Sequence, residues 1–178
     1  MQIIRLNETT KLRQLEITDV PDIYKAIDSQ RGYLREFLPF VDHTKKTEDT
    51  RAFVEGAVNA AVERNEYTFV ILVENNFAGL VGFKDLDKKN LKVEIGYWLC
   101  EQYQHRGIMT SAVKALCELA FKDLQLNRIQ IKCATGNIRS KHIPIRLGFK
   151  MEGLERQGEL MHNGTFADLE IYSILKND

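Results

Sequence analysis

Between residues 91 and 122 the hydrophobic period changes from strand to helix across a short polar turn, and this limits the fold more than any other feature of the chain. Leu91 to Cys100 is rich in aromatic and β-branched residues, which favour a strand. The end of the stretch carries apolar residues at spacings of three and four, which favours a helix. The run Gln104-His-Arg-Gly-Ile-Met-Thr110 joins them, with Gly107 where the backbone must bend or be approached closely. A helix starting there presents unpaired N–H groups and the positive end of its dipole, a candidate seat for an anion and above all for phosphate. A plain strand-to-helix connection would account for one glycine equally well. The chain has neither G-x-x-x-x-G-K-S/T nor G-x-G-x-x-G, which excludes a P-loop and a dinucleotide fingerprint. What remains is a cradle of backbone donors, helped by the side chains of Gln104, His105 and Arg106.

A length of 178 residues fits a single domain, 1–178, with room for a sizeable core. Hydrophobic residues make up 44% and charged residues 28%, and 25 basic residues balance 25 acidic ones, so no net charge draws the chain to nucleic acid. No apolar run approaches the length of a membrane span, and the N-terminus lacks the apolar core of a signal peptide; a cytoplasmic location is expected. Cys100, Cys117 and Cys133 are odd in number and widely spaced, so neither a disulfide framework nor a zinc site is indicated. The four histidines include no i, i+4 pair, and no metal is expected.

In chain order, residues 11–17 alternate as a first strand, and Thr18 or Asp19 caps a helix to Ser29 with Pro21 in its first turn. Tyr33, Phe37 and Phe40 form an aromatic cluster around a short helix that stops before Pro39, and packing against the next helix explains them. Thr47 caps a helix to about Arg64. Residues 67–74 and 77–84 form a hairpin turned at Asn75-Asn76, and the strand 91–100 follows the polar turn 87–90. Residues 127–134 alternate and should lie parallel to the strand before the central helix, which opens a ligand entrance where those two strands diverge. Asn137 or Ser140 caps a short helix ended by Gly148, and residues 149–162 and 164–176 close the chain as a hairpin turned at Asn163-Gly164. Glu152, Glu155 and Glu159 read as a solvated face or as an attraction for a cationic partner.

The runs Ile95-Gly-Tyr-Trp-Leu99, Tyr103-Gln104-x-x-Gly107-Ile-Met-Thr110, Asn137-x-x-Ser140 and Leu147-Gly-Phe149 together resemble the GNAT superfamily of N-acetyltransferases, and closely its RimL branch of ribosomal protein N-terminal acetyltransferases. The resemblance spans most of the chain. It implies an α+β (mixed α/β) GNAT fold: a central, mostly antiparallel twisted sheet of six to seven strands, helices on both faces, and a strand-helix-strand site for acetyl-CoA. In that fold the turn Gln104, His105, Arg106, Gly107, Ile108, Met109 and Thr110 holds the pyrophosphate of acetyl-CoA. The pantetheine arm bonds the backbone of Trp98, Leu99 and Cys100 like an added strand, Asn137 holds the arm, and Ser140 sits near its sulfur. Tyr33, Phe37 and Phe40 wall the acceptor site. The chain departs from the pattern in three places: Pro144 falls inside the helix, which is expected to begin late or kink; His105 stands where RimL-like chains usually have glycine; and Met109 replaces a small residue.

Acetyl transfer requires that the acceptor ammonium lose a proton before it attacks the thioester, and Glu94 and Glu101 flank the donor turn as candidate bases, each equally readable as a strand-edge charge. A fixed N–H near residues 98–100 would hold the oxyanion, and Ser140 would protonate the leaving thiolate. The expected activity is direct transfer from acetyl-CoA to a primary amine, foremost the N-terminal α-amine of a ribosomal or other protein, by a homodimer or larger homo-oligomer. A polyamine or drug amine is the rival acceptor, and a non-catalytic acyl-CoA-binding module is the rival class.

Overall fold

The computed structural model describes residues 2–178. Strands β1 (Ile3–Arg5), β2 (Thr10–Gln14), β3 (Thr68–Val73), β4 (Asn76–Asp87), β5 (Lys92–Leu99), β6 (Arg128–Ala134), β7 (Lys150–Leu160) and β8 (Phe166–Leu175) form one sheet in the order β1-β2-β3-β4-β5-β6-β8-β7. Every pairing is antiparallel except β5 with β6. Helices α1 (Val20–Ser29), α2 (Arg31–Leu34) and α3 (Thr47–Arg64) pack on one face. Helices α4 (Ile108–Glu118) and α5 (Ile138–Arg146) pack on the other. The strand beyond the expected six to seven is β1, whose three residues are too few to show alternation.

Strand alternation supplies both cores. In β3, Phe69 and Ile71 join the α4 side and Val70 the α1 side, and all three are fully buried. Each such side chain contributes roughly 1.5–3 kcal/mol of apolar transfer energy. Ile129 and Ile131 of β6 do the same work under α4.

Three local expectations shift by a residue or a role. The hairpin between β3 and β4 turns on Glu74 and Asn75, both at positive φ, so Asn76 belongs to the strand and pairs with Val73. At the start of α3 the capping group is the Asp49 carboxylate, which accepts the N–H groups of Lys45 (2.8 Å) and Lys46 (3.0 Å), and Thr47 is the first helical residue. Ahead of α1 a single turn at Ile17–Asp19 intervenes, and Asp19 accepts the Glu16 N–H (2.9 Å) while an ion pair clamps it to Arg13.

Candidate active site

Strands β5 and β6 run together over only three residue pairs, ending at Glu94 with Gln130. Beyond that point β5 follows β4, through Gly79 with Leu99 and a Cys100 N–H donated to the Ala78 carbonyl at 2.8 Å. Strand β6 follows β8 instead, to Ala134 with Leu169. Gly79 permits the close course of β4 and β5, because a Cβ there would stand 2.3 Å from the Trp98 carbonyl oxygen. The sheet therefore splits, and a cavity of about 320 Å³ lies at the split. Its walls include Leu34 and Trp98 from the α1 side and Met109 and Ile143 from the α4 side, so it joins the two faces.

One end of the cavity is the turn before α4. Gly107 occupies the left-handed region (φ 70°) at the N-cap, and Ser111 is the first residue whose N–H finds a helical acceptor, the Gly107 carbonyl at 3.0 Å. The N–H groups of Ile108, Met109 and Thr110 are thus left at the cavity wall, with the helix dipole behind them. His105 is also left-handed (φ 60°), which explains why a glycine would suit that position. Gln104, His105 and Arg106 line the same wall, and the Arg106 guanidinium rests 5.6 Å over the Tyr103 ring.

The opposite wall is α5. Asn137 caps it, its side-chain oxygen accepting the Ser140 N–H at 3.1 Å, so the helix begins on time despite Pro144. Proline's missing N–H would have gone to the Ser140 carbonyl, and the Tyr97 phenol of β5 donates there instead at 3.1 Å. The Ser140 hydroxyl in turn donates to the Tyr97 oxygen (3.2 Å) and lies 3.3 Å from the Cys133 sulfur. Burial pushes the Tyr97 phenol well above its ordinary pKa and raises the Cys133 thiol, so both stay protonated at neutral pH. This cluster was not foreseen: Tyr97 stands in one of the runs that carry the resemblance, but its bond to the Ser140 carbonyl depends on a proline 47 positions away.

Tyr33 and Phe37 line the cavity mouth on the α1 side. The Tyr33 hydroxyl donates to the Leu99 carbonyl (3.3 Å) and accepts from the Gln104 amide, tying α2 to both β5 and the donor turn. Phe40 is exposed and lies off the cavity wall, because Pro39 starts a separate turn there. Cys100 is buried just behind the wall, next to Trp98.

Residues 10–150 match the family model described as an acetyltransferase (GNAT) domain. The chain belongs to the GNAT acetyltransferase family. A ribosomal-protein-serine acetyltransferase of Escherichia coli (strain K12) is 30% identical over 172 residues, covering 97% of this chain and 96% of the relative. A spermidine N(1)-acetyltransferase of the same strain is 27% identical over 167 residues, covering 90% and 82%. The RimL ribosomal L7/L12 α-N-protein acetyltransferase, solved with coenzyme A in a disulfide to one of its cysteines, matches with a TM-score of 0.93 at 28% identity over 98% of both chains. The protein is thus an N-acetyltransferase with acetyl-CoA as donor.

For a GNAT enzyme the placement of carboxylates decides which one can accept a proton. Glu94 is buried on the Trp98 face of β5, away from the cavity wall, paired with Lys84 at 2.8 Å and accepting from Gln130 at 3.3 Å. Glu101 is exposed in the one-turn helix after β5 and is likewise off the wall. On the same sheet face as Glu94 lies Glu159 of β7, which is also off the cavity wall and has no ion-pair partner among the described residues. Burial raises its pKa; Lys84 opposes the shift and Glu94 adds to it. Its neighbours Glu152 and Glu155 are occupied by Arg128 and by Lys132 (2.8 Å).

Proposed function

We propose that this chain moves the acetyl group of acetyl-CoA directly to the N-terminal α-amine of a protein, a ribosomal protein first of all. The observation that carries this reading is the split between β5 and β6. A carrier gripped at the Gly107 turn can aim its thioester through the sheet toward the face where Tyr33 and Phe37 stand. Similarity to the ribosomal-protein-serine acetyltransferase along almost the whole chain supports the acceptor class. In this reading the N–H groups of residues 107–110, with Gln104, His105 and Arg106, hold the diphosphate. The stretch Trp98, Leu99 and Cys100 holds the arm beside Asn137, and the Leu99 N–H, which faces away from β4 because the Cys100 N–H is given to the Ala78 carbonyl, supplies the oxyanion donor. The Ser140 hydroxyl protonates the departing thiolate. The ammonium proton goes by way of water to Glu159, which has no ion-pair partner among the described residues, whereas Glu94 is committed to Lys84 and Gln130 and Glu101 stands in solvent. Cys133, beside Ser140, is the cysteine of this chain placed to meet the coenzyme sulfur, as a cysteine does in the RimL complex. A cytoplasmic location and pairing of two copies complete the proposal; among the described residues no helix is long and apolar enough to cross a membrane.

The test is intact-mass analysis of ribosomal proteins, blocked and free N-terminal peptides, and spermidine after incubation with acetyl-CoA. Acetylation confined to free protein N-termini is expected. Acetylation of spermidine alone would move the acceptor to the polyamine class, and coenzyme binding without transfer to any amine would leave a non-catalytic module.

A further inference from the structure

We propose that Glu94 and Gln130 are positioning residues for acetyl transfer: their bond across the closed end of the split sets the gap between β5 and β6, and with it the placement of the Ser140 hydroxyl. This rests on the reading of Ser140 as the proton donor to the departing thiolate.

The two strands part at a fixed pivot. Glu94 faces Gln130 in the last of the three β5–β6 pairs and accepts from the Gln130 amide at 3.3 Å. Three residues further along each strand stand Tyr97 and Cys133, past the end of the pairing. The Ser140 hydroxyl spans them, 3.2 Å from the Tyr97 oxygen and 3.3 Å from the Cys133 sulfur. Three is an odd step, so the pivot lies on the Trp98 face of the sheet and the bridge on the α4 face. Two side-chain links therefore bracket the opening, and the second inherits the width that the first allows.

The pivot is held from both sides. Glu94 is only 7% exposed, and its other carboxylate oxygen meets the Lys84 ammonium at 2.8 Å. Lys84 crosses β5 over Gly96, where a Cβ would stand 3.6 Å from the Lys84 Cε. The Gln130 oxygen accepts from Arg128 at 3.2 Å, which turns the Gln130 amide nitrogen toward Glu94. Arg128 donates to Glu152 at 2.7 Å, and Glu152 accepts the Ser173 hydroxyl at 2.6 Å. One chain of polar contacts thus runs from β4 through β5 and β6 to β7 and β8, across the parallel pairing.

Distance from the pivot amplifies any slack in it. At about 3.3 Å per residue Cys133 lies about 10 Å beyond Gln130, so a turn of about 6° at the pivot moves it by about 1 Å. Displacing a reacting group by about 1 Å costs up to about a hundredfold in rate.

Initial rates of thiol release from acetyl-CoA decide the matter, with whichever amine the wild-type enzyme acetylates faster, a free N-terminal peptide of a ribosomal protein or spermidine. Gln130→Met, which keeps the volume and removes the donor, should lower kcat about tenfold and leave KM for acetyl-CoA within about twofold. Glu94→Gln keeps an acceptor for Gln130 and loses the bond to Lys84, so its kcat should fall between the two. In a Ser140→Ala background Gln130→Met should change kcat by less than about twofold, because the group it positions is gone. A general structural fault would lower both backgrounds alike. Equal fold losses in the two backgrounds would overturn the positioning, as would an unchanged kcat in Gln130→Met. Glu94→Gln carries the same cycle with Ser140→Ala if Gln130→Met does not fold. If Ser140→Ala alone left kcat unchanged, the reading of Ser140 would fall and the positioning with it, an outcome distinct from equal losses.

Discussion

The Ser140 carbonyl depends on a donor outside its own helix, and a double-mutant cycle measures that dependence. Pro144 has no N–H to give it, and the Tyr97 phenol supplies the missing bond at 3.1 Å. Tyr97→Phe keeps the ring and removes the donor. The carbonyl then has neither a helix N–H nor a phenol, and the Ser140 hydroxyl loses its acceptor at 3.2 Å. Leaving one such group unsatisfied costs about 1–3 kcal/mol, so the substitution should lower stability by about 2 kcal/mol. In a Pro144→Ala background the restored backbone N–H reaches the same carbonyl, and Tyr97→Phe should cost about 1 kcal/mol. The coupling between the two positions is therefore about 1 kcal/mol, readable in urea midpoints followed by far-UV circular dichroism and as about 2–4 °C in Tm. Additivity within about 0.3 kcal/mol would refute the substitution of phenol for helix N–H.

Glu159→Gln should remove the acidic limb of the kcat/KM pH profile, and that limb should lie above the ordinary glutamate range, since burial raises this carboxyl; Glu94→Gln and Glu101→Gln should leave the limb in place. The sign for stability is the reverse of the usual carboxylate case. The folded state holds the Glu159 proton more tightly, so this group's contribution falls as pH rises through its raised value, and the Gln variant should show a flatter stability profile there. Incubation with the symmetrical disulfide of coenzyme A should inactivate the enzyme by exchange of one coenzyme thiolate for the Cys133 thiolate, slowly because burial raises that thiol. Dithiothreitol should reverse the loss and Cys133→Ala should abolish it, whereas inactivation that persists in Cys133→Ala would point to Cys100. Gly79→Ala should cost roughly 3 kcal/mol, because the backbone of β5 must move to admit the methyl group; an unchanged melting temperature would show that β4 and β5 have room to part.

The donor turn, the parallel course of β6 and the closing hairpin at Asn163-Gly164 were legible because each rests on local chemistry: a glycine before a helical stripe, alternation after a helix, a turn pair between strands. Asn137 was legible for the same reason, as a cap. What stayed hidden depends on contacts distant in the chain. Pro144 looked like a fault in the helix, and only the fold brings Tyr97 to the carbonyl it abandons. Glu94 looked available until the sheet set Lys84 and Gln130 beside it, and Glu159 looked like one of three solvated acids until its neighbours were seen to be paired and it was not.

Only three residue pairs join the first five strands to the last three. The sheet is thus two panels on a narrow seam, and beyond Glu94 the side of β5 toward β6 has no strand beside it, the Leu99 carbonyl taking the Tyr33 hydroxyl instead. A donor molecule lying along that edge would act as a staple as much as a reactant, so its arrival should slow amide exchange in both panels at once, far from any atom it touches.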